Sequence, residues 1–294
     1  MTLVSQTSLS YFPGCSLATT AKENNASLHT FVDHFGITLT EVDDWNCCGS
    51  SSTHSVNAEL AFSLAARNLF QAPLDKPMLI ACPGCFLRLK HAQKELADSK
   101  QRQEICEHQF NRPYNPDLKL MHFFELLADM GREGILKELD DRLKGLKIAP
   151  YYGCMLARPP HMNKEKNHHG LIEKTMAALG AESVYWSFMS RCCGTFLSVS
   201  RPEIAEKQVN RIMQGAIATG AECIVTACAM CHLNLEIRCL KENQIPIFHF
   251  SELLSLALEG KFSRSWLKRH LIDPTPLLEE KQLINVLVPA GCRR

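Results

Sequence analysis

The sequence lacks an excess of charge of either sign. Lys and Arg together number 32 and Asp and Glu together number 31, which leaves a formal net charge of +1 over 294 residues. A protein that binds phosphates over a broad surface carries a field of one sign. We therefore expect neither a nucleic acid nor an anionic membrane surface as a partner.

Long apolar runs are absent as well. No stretch approaches the roughly 18 to 20 apolar residues that are needed to cross a bilayer. The opening segment, MTLVSQTSLS, contains no basic residue, and no long apolar run precedes Cys15. Such a start does not resemble a secretory signal. We expect a cytoplasmic protein with no membrane span.

Three cofactor motifs are also missing. The sequence contains no C-x2-C-x2-C-x3-C-P run for cubane clusters, no G-x-G-x-x-G before a predicted helix and no phosphate-binding loop. If the protein carries out redox chemistry, its electrons must therefore arrive or leave through another chain. We expect it to be one subunit of a complex.

Cysteine, by contrast, is abundant. There are 14 cysteines, and in a reducing compartment such a number indicates metal binding or redox chemistry rather than disulfides. Ten of them form two sets with the same order: a single cysteine, an adjacent pair followed by Gly, and a C-x-x-C. The first set is Cys15, Cys47, Cys48, Cys82 and Cys85, and the second is Cys154, Cys192, Cys193, Cys228 and Cys231.

The two sets run in register, which indicates a duplication. The second follows the first by 139 residues at the single cysteine, 145 at the pair and 146 at the C-x-x-C. Other segments repeat too: YFPGC, ending at Cys15, corresponds to YYGC, and HFFELL, from His122, corresponds to HFSELL. The period is far above that of solenoids, so each copy is domain-sized. We expect one domain over residues 1–145 and a second over 146–294, packed together.

The predicted fold class is α/β, with two pseudo-symmetric domains that each contain a mainly parallel sheet with flanking helices. Short β-prone runs end at or near cysteines and alternate with helical periodicity. The predicted strands are Leu9–Phe12, Pro77–Ala81, Ile148–Tyr152 and Glu222–Ala227, and the predicted helices are Ala58–Phe70, Leu171–Leu179 and Pro202–Ala218. In such sheets ligands gather beyond the carboxyl ends of the strands, and the cysteines follow these ends.

Three other segments have weaker patterns. Residues 131–147 are predicted to form a linker helix that leads into the second copy, and the polar residues 98–117 are predicted to form a surface loop or a frayed helix end. The tail after Gly260 has no counterpart in the first half. It is expected either to bind a partner or to brace the surface.

Five thiolates in each set are one more than structural zinc or an ordinary cubane cluster requires. Soft thiolates at this density favour iron–sulfur chemistry over a hard cation. Adjacent cysteines in a strand would point to opposite faces, so both pairs are predicted to lie in turns that Gly49 and Gly194 permit. Zinc in place of one cluster stays open as an alternative.

With this pattern the chain resembles the catalytic subunit of heterodisulfide reductase and its bacterial relatives, a family of tandem cysteine-cysteine-glycine domains. The resemblance includes WNCCGSSSTHS from Trp45 and LAARNL from Leu64, and it extends to about Phe250. It implies two noncubane four-iron four-sulfur clusters, held by the ten cysteines and facing each other across the domain interface. It also implies sulfur redox chemistry on a disulfide, a thiol or protein-bound sulfane sulfur. The implied partners are a small subunit with cubane clusters and a flavin-bearing subunit.

Two departures bear on the substrate. Methanogen members tend to have His where this chain has Met155, and Pro83-Gly84 of the first C-x-x-C is replaced by Ala229-Met230 in the second. These differences favour the bacterial members of the family over the methanogen substrate. An alternative function is an electron-relay subunit of a lactate, glycolate or succinate oxidising system, because similar domains occur there, several of them fused to ferredoxin domains.

Other candidate residues have competing interpretations. His54 is a candidate proton donor to a leaving thiolate, or a capping or surface histidine. Arg158 is a candidate for steadying an anionic substrate or a reduced cluster, or one half of a surface ion pair. His122 and His249 recur in both copies, which predicts a structural place at a strand-to-helix junction.

Overall fold

The structure, a computed structural model, describes residues 8–50, 53–132, 134–139, 141–157, 170–258 and 261–284. The strands are β1 (Ser8–Phe12), β2 (Thr38–Glu41), β3 (Met78–Ile80), β4 (Leu120–His122), β5 (Lys147–Tyr151), β6 (Glu182–Ser183), β7 (Cys223–Thr226) and β8 (Ile247–His249). They form two separate parallel sheets of four strands.

The helices lie between and after the strands. In the first half they are α1 (Gly14–Ala18), α2 (Lys22–His34), α3 (Thr53–Val56), α4 (Ala58–Gln71), α5 (Pro83–Asp98), α6 (Lys100–Phe110) and α7 (Phe123–Arg132). In the second they are α8 (Gly153–Ala157), α9 (Leu171–Ala178), α10 (Pro202–Ala218), α11 (Ala229–Arg238), α12 (Phe250–Ala257), α13 (Arg264–Leu267) and α14 (Thr275–Glu280). Short 3-10 helices span Ile135–Leu139, Thr195–Leu197 and Lys241–Asn243.

The two sheets have the same topology. The strand order is β2-β1-β3-β4 in the first and β6-β5-β7-β8 in the second. In each sheet the chain first moves to one side of the opening strand and then crosses to its other side. This reversal leaves a crevice at the carboxyl ends of the two middle strands, where open α/β sheets bind ligands. The predicted fold class and repeat are confirmed.

The local sequence explains why these elements form. The central strands β3 and β7 are buried along their whole length, and their MLI and CIVT sequences lack the polar alternation of a half-exposed strand. Helix α4 is capped by Asn57, whose side chain accepts a hydrogen bond from the Leu60 amide. Its apolar residues recur with helical period and pack against the first sheet. Each fully buried Leu or Phe in such a core contributes about 1.5 to 3 kcal/mol.

The halves pack through helices related by the repeat. Helix α2 lies against α12, and α7 lies against α9. One apolar cluster runs from Phe31 of the first half to Phe250 of the second. Within it the Ser27 and Ser251 hydroxyls are 2.7 Å apart, and the Ser255 hydroxyl donates to the Ser27 carbonyl at 2.6 Å. The contact is continuous with both cores, as expected for halves that pack together.

Two sequence-based expectations were wrong. Residues 100–110 form the regular helix α6 rather than a loop or a frayed end: Ser99 caps the Arg102 amide and Asn111 ends the helix in the left-handed conformation. Its Lys, Gln, Arg and Glu residues have high helix propensity without an apolar face. The linker is not one helix either. Helix α7 ends at Arg132, and the left-handed Gly134 and Gly145 bound short turns before β5.

The described part of the tail braces the fold. Leu267 and Leu278 are buried in the core that both halves share. Arg269 pairs with Glu23 of α2 at 3.2 Å, and Lys281 pairs with Glu222, which precedes β7. Of the two roles expected for this segment, residues 261–284 therefore show the bracing one.

Candidate metal centre

The single and C-x-x-C cysteines follow the middle strands of each sheet. Cys15 lies in the first turn of α1, directly after β1, and Cys154 holds the same place after β5. Cys82 and Cys228 are the residues before α5 and α11, which follow β3 and β7. All four therefore lie at the crevice where the strand order reverses.

The adjacent pairs lie in irregular loops, as predicted. Gly49 and Gly194 have positive φ angles of 71° and 82°, a backbone conformation that favours glycine. The loops are held by different contacts: Asn68 of α4 bonds to both the amide and the carbonyl of Asn46, whereas Asn234 of α11 donates to the Cys193 carbonyl at 2.8 Å. In each loop the second cysteine of the pair is buried and the first is exposed.

The sulfur atoms converge within each set. Cys48 and Cys85 are 3.2 Å apart at Sγ, Cys15 and Cys47 are 3.7 Å apart, and Cys193 and Cys231 are 3.5 Å apart. The two sets also meet, because the Cys82 and Cys228 thiols interact across the halves and shift each other's pKa. One cavity of about 100 Å³ is lined by all ten cysteines of the two sets.

Several of these thiols are favoured as thiolates. A hydrogen bond from Cys154, with a smaller effect from the Gly194 amide, lowers the pKa of Cys192 to about 6 despite burial. A hydrogen bond from Cys231 lowers the pKa of Cys193 to about 7. Hydrogen bonds from Cys15 and Cys48 lower the pKa of Cys47. The same hydrogen bonds raise the pKa of Cys15, Cys154 and Cys231, so one thiol of each pair is favoured as the thiolate, the form that binds metal.

The backbone leaves room for the converging sulfurs. A Cβ atom on Gly14 would lie 2.8 Å from the Cys85 sulfur, and one on Gly153 would lie 3.3 Å from the Cys231 sulfur. Both glycines have positive φ angles and directly precede the single cysteine of their set. Five soft donors per half fit an iron–sulfur cluster and exceed the four ligands of structural zinc.

The cavity walls of the two halves differ. Gly84 and Met230 hold equivalent positions within the two C-x-x-C segments, and both line the cavity together with Met155 and Phe196. In the described part of the chain, the lining contains no Lys, Arg, His, Asp or Glu. The wall of the cavity therefore has a glycine in the first half where it has a methionine in the second.

The other predicted site residues lie elsewhere. His54 is exposed in α3 beside the cavity, with its ring 6.1 Å from that of Phe196, so its proton-donor role stays a prediction. Arg158 lies outside the described residues. His122 and His249 end β4 and β8, and each donates its backbone amide to the glutamate three residues later, Glu125 or Glu252. Their predicted place at a strand-to-helix junction is confirmed.

Sequence reasoning missed a buried charged cluster beside the second set. The imidazole of His270, in the tail, lies 3.1 Å from a Glu236 oxygen and 2.9 Å from a Glu252 oxygen. Burial opposes its protonation, but the two carboxylates outweigh burial and raise the pKa of His270 to about 10. These residues come from α11, α12 and the tail, so no local sequence signal connects them.

The close packing around Gly194 leads to a prediction about stability. A Cβ atom there would lie 2.9 Å from the Cα of Ala205, whereas one on Gly145 would meet nothing within 4 Å, although both φ angles are positive. Gly194→Ala is therefore expected to lower the free energy of unfolding by about 1 to 3 kcal/mol more than Gly145→Ala. Urea unfolding of both variants measures the difference, and equal losses would contradict it.

All ten cysteines of the two sets lie within segments that match a known protein family. The family model described as CCG, cysteine-rich domain, matches residues 9–90 and 148–236. The chain is 29% identical over 284 residues to the 8-methylmenaquinol:fumarate reductase membrane anchor subunit of Wolinella succinogenes, covering 92% of this chain and 99% of the relative. It is 26% identical over 272 residues to one subunit of the ferredoxin/F420H2-dependent CoB-CoM heterodisulfide reductase of Methanosarcina acetivorans, covering 85% of this chain and 89% of that subunit.

A solved structure matches the fold. The crystal structure of a hypothetical protein from Helicobacter pylori superposes with a TM-score of 0.70 at 12% identity over 90% of this chain. This chain corresponds to 52% of the length of that protein. Among the described residues of our chain, no helix has the length and apolar character that crossing a membrane requires.

Proposed function

Because the chain belongs to the family of the CCG cysteine-rich domain, we propose that it is an iron–sulfur redox subunit with one noncubane four-iron four-sulfur cluster in each half. The observation that carries this proposal is the single cavity lined by both five-cysteine sets. The first set comes from residues before 86 and the second from residues after 153, so we keep the proposed domains as residues 1–145 and 146–294.

The ten cysteines would hold the clusters, which when bound supply reversible one-electron transfer. The protein's own contribution is the environment. Cys48, Cys82 and Cys85 are at most 8% exposed, as are Cys193, Cys228 and Cys231, so the inner side of each set is shielded from water. The exposed Cys15, Cys47 and Cys192 mark the open side of the cavity. A substrate or an electron-transfer partner would approach from there.

Within this function we propose sulfur redox chemistry on a disulfide, a thiol or protein-bound sulfane sulfur, in the manner of the catalytic subunit of a heterodisulfide reductase. Support comes from the convergence of the two sets, because Cys82 of the first half and Cys228 of the second line the same cavity. A two-sulfur substrate between the halves would then face one set on each side. The proposed partners are a small subunit with cubane clusters and a flavin-bearing subunit.

A second candidate is an electron relay in a fumarate or succinate type oxidoreductase. The relative that carries the fumarate reductase name is 29% identical and is matched over 99% of its length, which favours this candidate. In that role the cavity would join the two clusters for electron transfer without binding a sulfur substrate. Both candidates need the same ten cysteines and a partner that exchanges electrons with them.

Metal analysis tests the shared function first. Anaerobically purified protein is expected to contain about four iron atoms and four sulfides in each half. Stoichiometric zinc without sulfide would contradict both candidates, and zinc in one half would support the mixed alternative.

Paramagnetic resonance then separates the two candidates. Thiols labelled with sulfur-33 are added to the oxidised protein, and the reported quantity is the width of any new signal. Broadening by the label supports sulfur chemistry at the cavity. A lack of response to every thiol, together with reduction of the clusters by a quinol through the partner subunits, supports the relay.

A further inference from the structure

The two cysteine sets share a pattern but not their polar surroundings. Two positions related by the repeat carry different residues. The residue two places after the adjacent pair is Ser50 in the first half and Thr195 in the second. The residue three places after the C-x-x-C is Arg88 in the first half and Asn234 in the second. Each difference places a different polar group beside one set.

In the second half a hydroxyl reaches a ligand sulfur. The Thr195 Oγ1 atom lies 3.0 Å from the Cys193 Sγ atom and 3.4 Å from the Met230 carbonyl oxygen. When Cys193 is a thiol, its S–H can donate to the hydroxyl. When Cys193 is a metal-bound thiolate it has no proton, so the hydroxyl of Thr195 becomes the donor to sulfur. In the described residues of the first half, the Ser50 hydroxyl makes no hydrogen bond to a cysteine sulfur.

In the first half the Ser16 hydroxyl acts on the exposed Cys15 thiol, and the buried side of the set faces a charge, that of Arg88. Arg88 lies one helical turn after Cys85 on α5, so it shares a face with that ligand. Burial lowers the pKa of Arg88 and a Cys48 thiolate opposes this shift, and the buried Nε atom of Arg88 has no hydrogen-bond partner. In the second half Asn234 uses its amide to bond the Cys193 carbonyl, and it brings no charge.

Both contacts would change the reduction potential of the nearby cluster, but by different means. Reduction adds negative charge to a cluster. A hydrogen bond to a ligand sulfur therefore stabilises the reduced state and raises the reduction potential, and a nearby cation does the same. The hydroxyl acts over a single contact. The guanidinium is half-exposed and acts over a longer distance, so salt screens its effect.

We propose that Thr195 and Arg88 are positioning residues that separately set the reduction potentials of the second and the first centre, the former by a hydrogen bond to sulfur and the latter by its charge. The inference rests on the proposed function, since it requires a cluster in each half. It makes the two centres of the pseudo-symmetric cavity independently adjustable. The order in which they accept electrons then depends on these two side chains.

The test is a potentiometric titration of the full-length protein, with each centre followed by paramagnetic resonance and assigned with Cys48→Ala and Cys193→Ala. Thr195→Val keeps the shape and removes the hydroxyl, and Arg88→Gln keeps the length and removes the charge. Each substitution is expected to lower the reduction potential of the centre in its own half only. A tenfold change in the oxidised-to-reduced ratio corresponds to 59 mV for one electron, and a shift of about this size is expected for each.

Conservative variants and salt complete the design. Thr195→Ser and Arg88→Lys are expected to keep the original potentials, and Ser50→Ala is expected to move neither. The Arg88→Gln shift is expected to shrink at about 1 M salt, where the Debye length is about 3 Å, while the Thr195→Val shift is unchanged.

The iron content of every variant separates the possible failures. Loaded clusters whose potentials move together, or do not move, would overturn this inference and leave the proposed function standing. Absence of clusters in the unsubstituted protein would overturn both.

Discussion

Replacement of Cys193 by alanine is expected to remove the iron and sulfide of the second half, about four of each, and to leave the first half loaded. Cys193 is 3% exposed, its sulfur is 3.5 Å from that of Cys231, and it is the buried member of its pair. The first set obtains all its sulfurs from residues before 86. Iron and sulfide analysis, with resonance spectra of the remaining centre, measures the result.

A matched control is Cys223→Ala, because Cys223 is also buried in the second half but lies in β7, outside both sets. It is expected to retain both clusters. Cys48→Ala is the mirror experiment and should remove only the first. Loss of both clusters in Cys193→Ala would mean that the two sites depend on each other.

Replacement of His270 by glutamine is expected to lower the free energy of unfolding by about 3 to 5 kcal/mol at pH 7, the usual cost of removing one partner from a buried charged pair. The side chain is fully buried between Glu236 and Glu252, which would lose their shared counter-charge. His232 lies in the same cluster, with its ring 4.9 Å from that of His270. Urea unfolding followed by circular dichroism measures the loss.

The stability that His270 contributes is expected to fall as the pH rises. The pKa of His270 is raised from 6.5 to about 10 in the folded protein, so its contribution to stability is complete below pH 6.5. That contribution falls as the pH rises through 10. The unsubstituted protein should lose this part of its stability between pH 6.5 and about 10, and His270→Gln should not.

Exposed His108 provides the control, since it lies in the last turn of α6 at the surface. His108→Gln is expected to change stability by less than about 0.5 kcal/mol. The prediction would be contradicted if His270→Gln changed stability as little as His108→Gln does. It would also be contradicted if the stability of His270→Gln fell with pH as that of the unsubstituted protein does.

Much of the fold could be predicted from local patterns. The prediction for helix α10 matches its observed bounds, and Ala58–Phe70 falls one residue short of α4, because capping residues and apolar periodicity both lie within one segment. The helix at residues 100–110 was missed because its residues carry high helix propensity but no apolar period. The linker was predicted as a helix from its charged residues, and its glycines were given too little weight.

The ten cysteines were found in sequence because spacing and repetition are properties of the chain itself. Their order, the register of the duplication and the glycines after each pair needed no structure. The family resemblance rests on the same segments, to which the cysteine-rich domain model matches. The choice between sulfur chemistry and an electron relay was open on sequence grounds and stays a matter for experiment.

Tertiary structure alone decided which groups surround the two sets. Spacing cannot show that Cys82 and Cys228 line one cavity, or that the hydroxyl of Thr195 lies 3.0 Å from the Cys193 sulfur. It also cannot show that His270, in a tail without a repeat partner, lies between two carboxylates. Such contacts join residues far apart in the chain, and only the packing of helices on two sheets brings them to one place. The sequence thus determined the ten cysteines and their repeat, and the packing determined the cavity that they line.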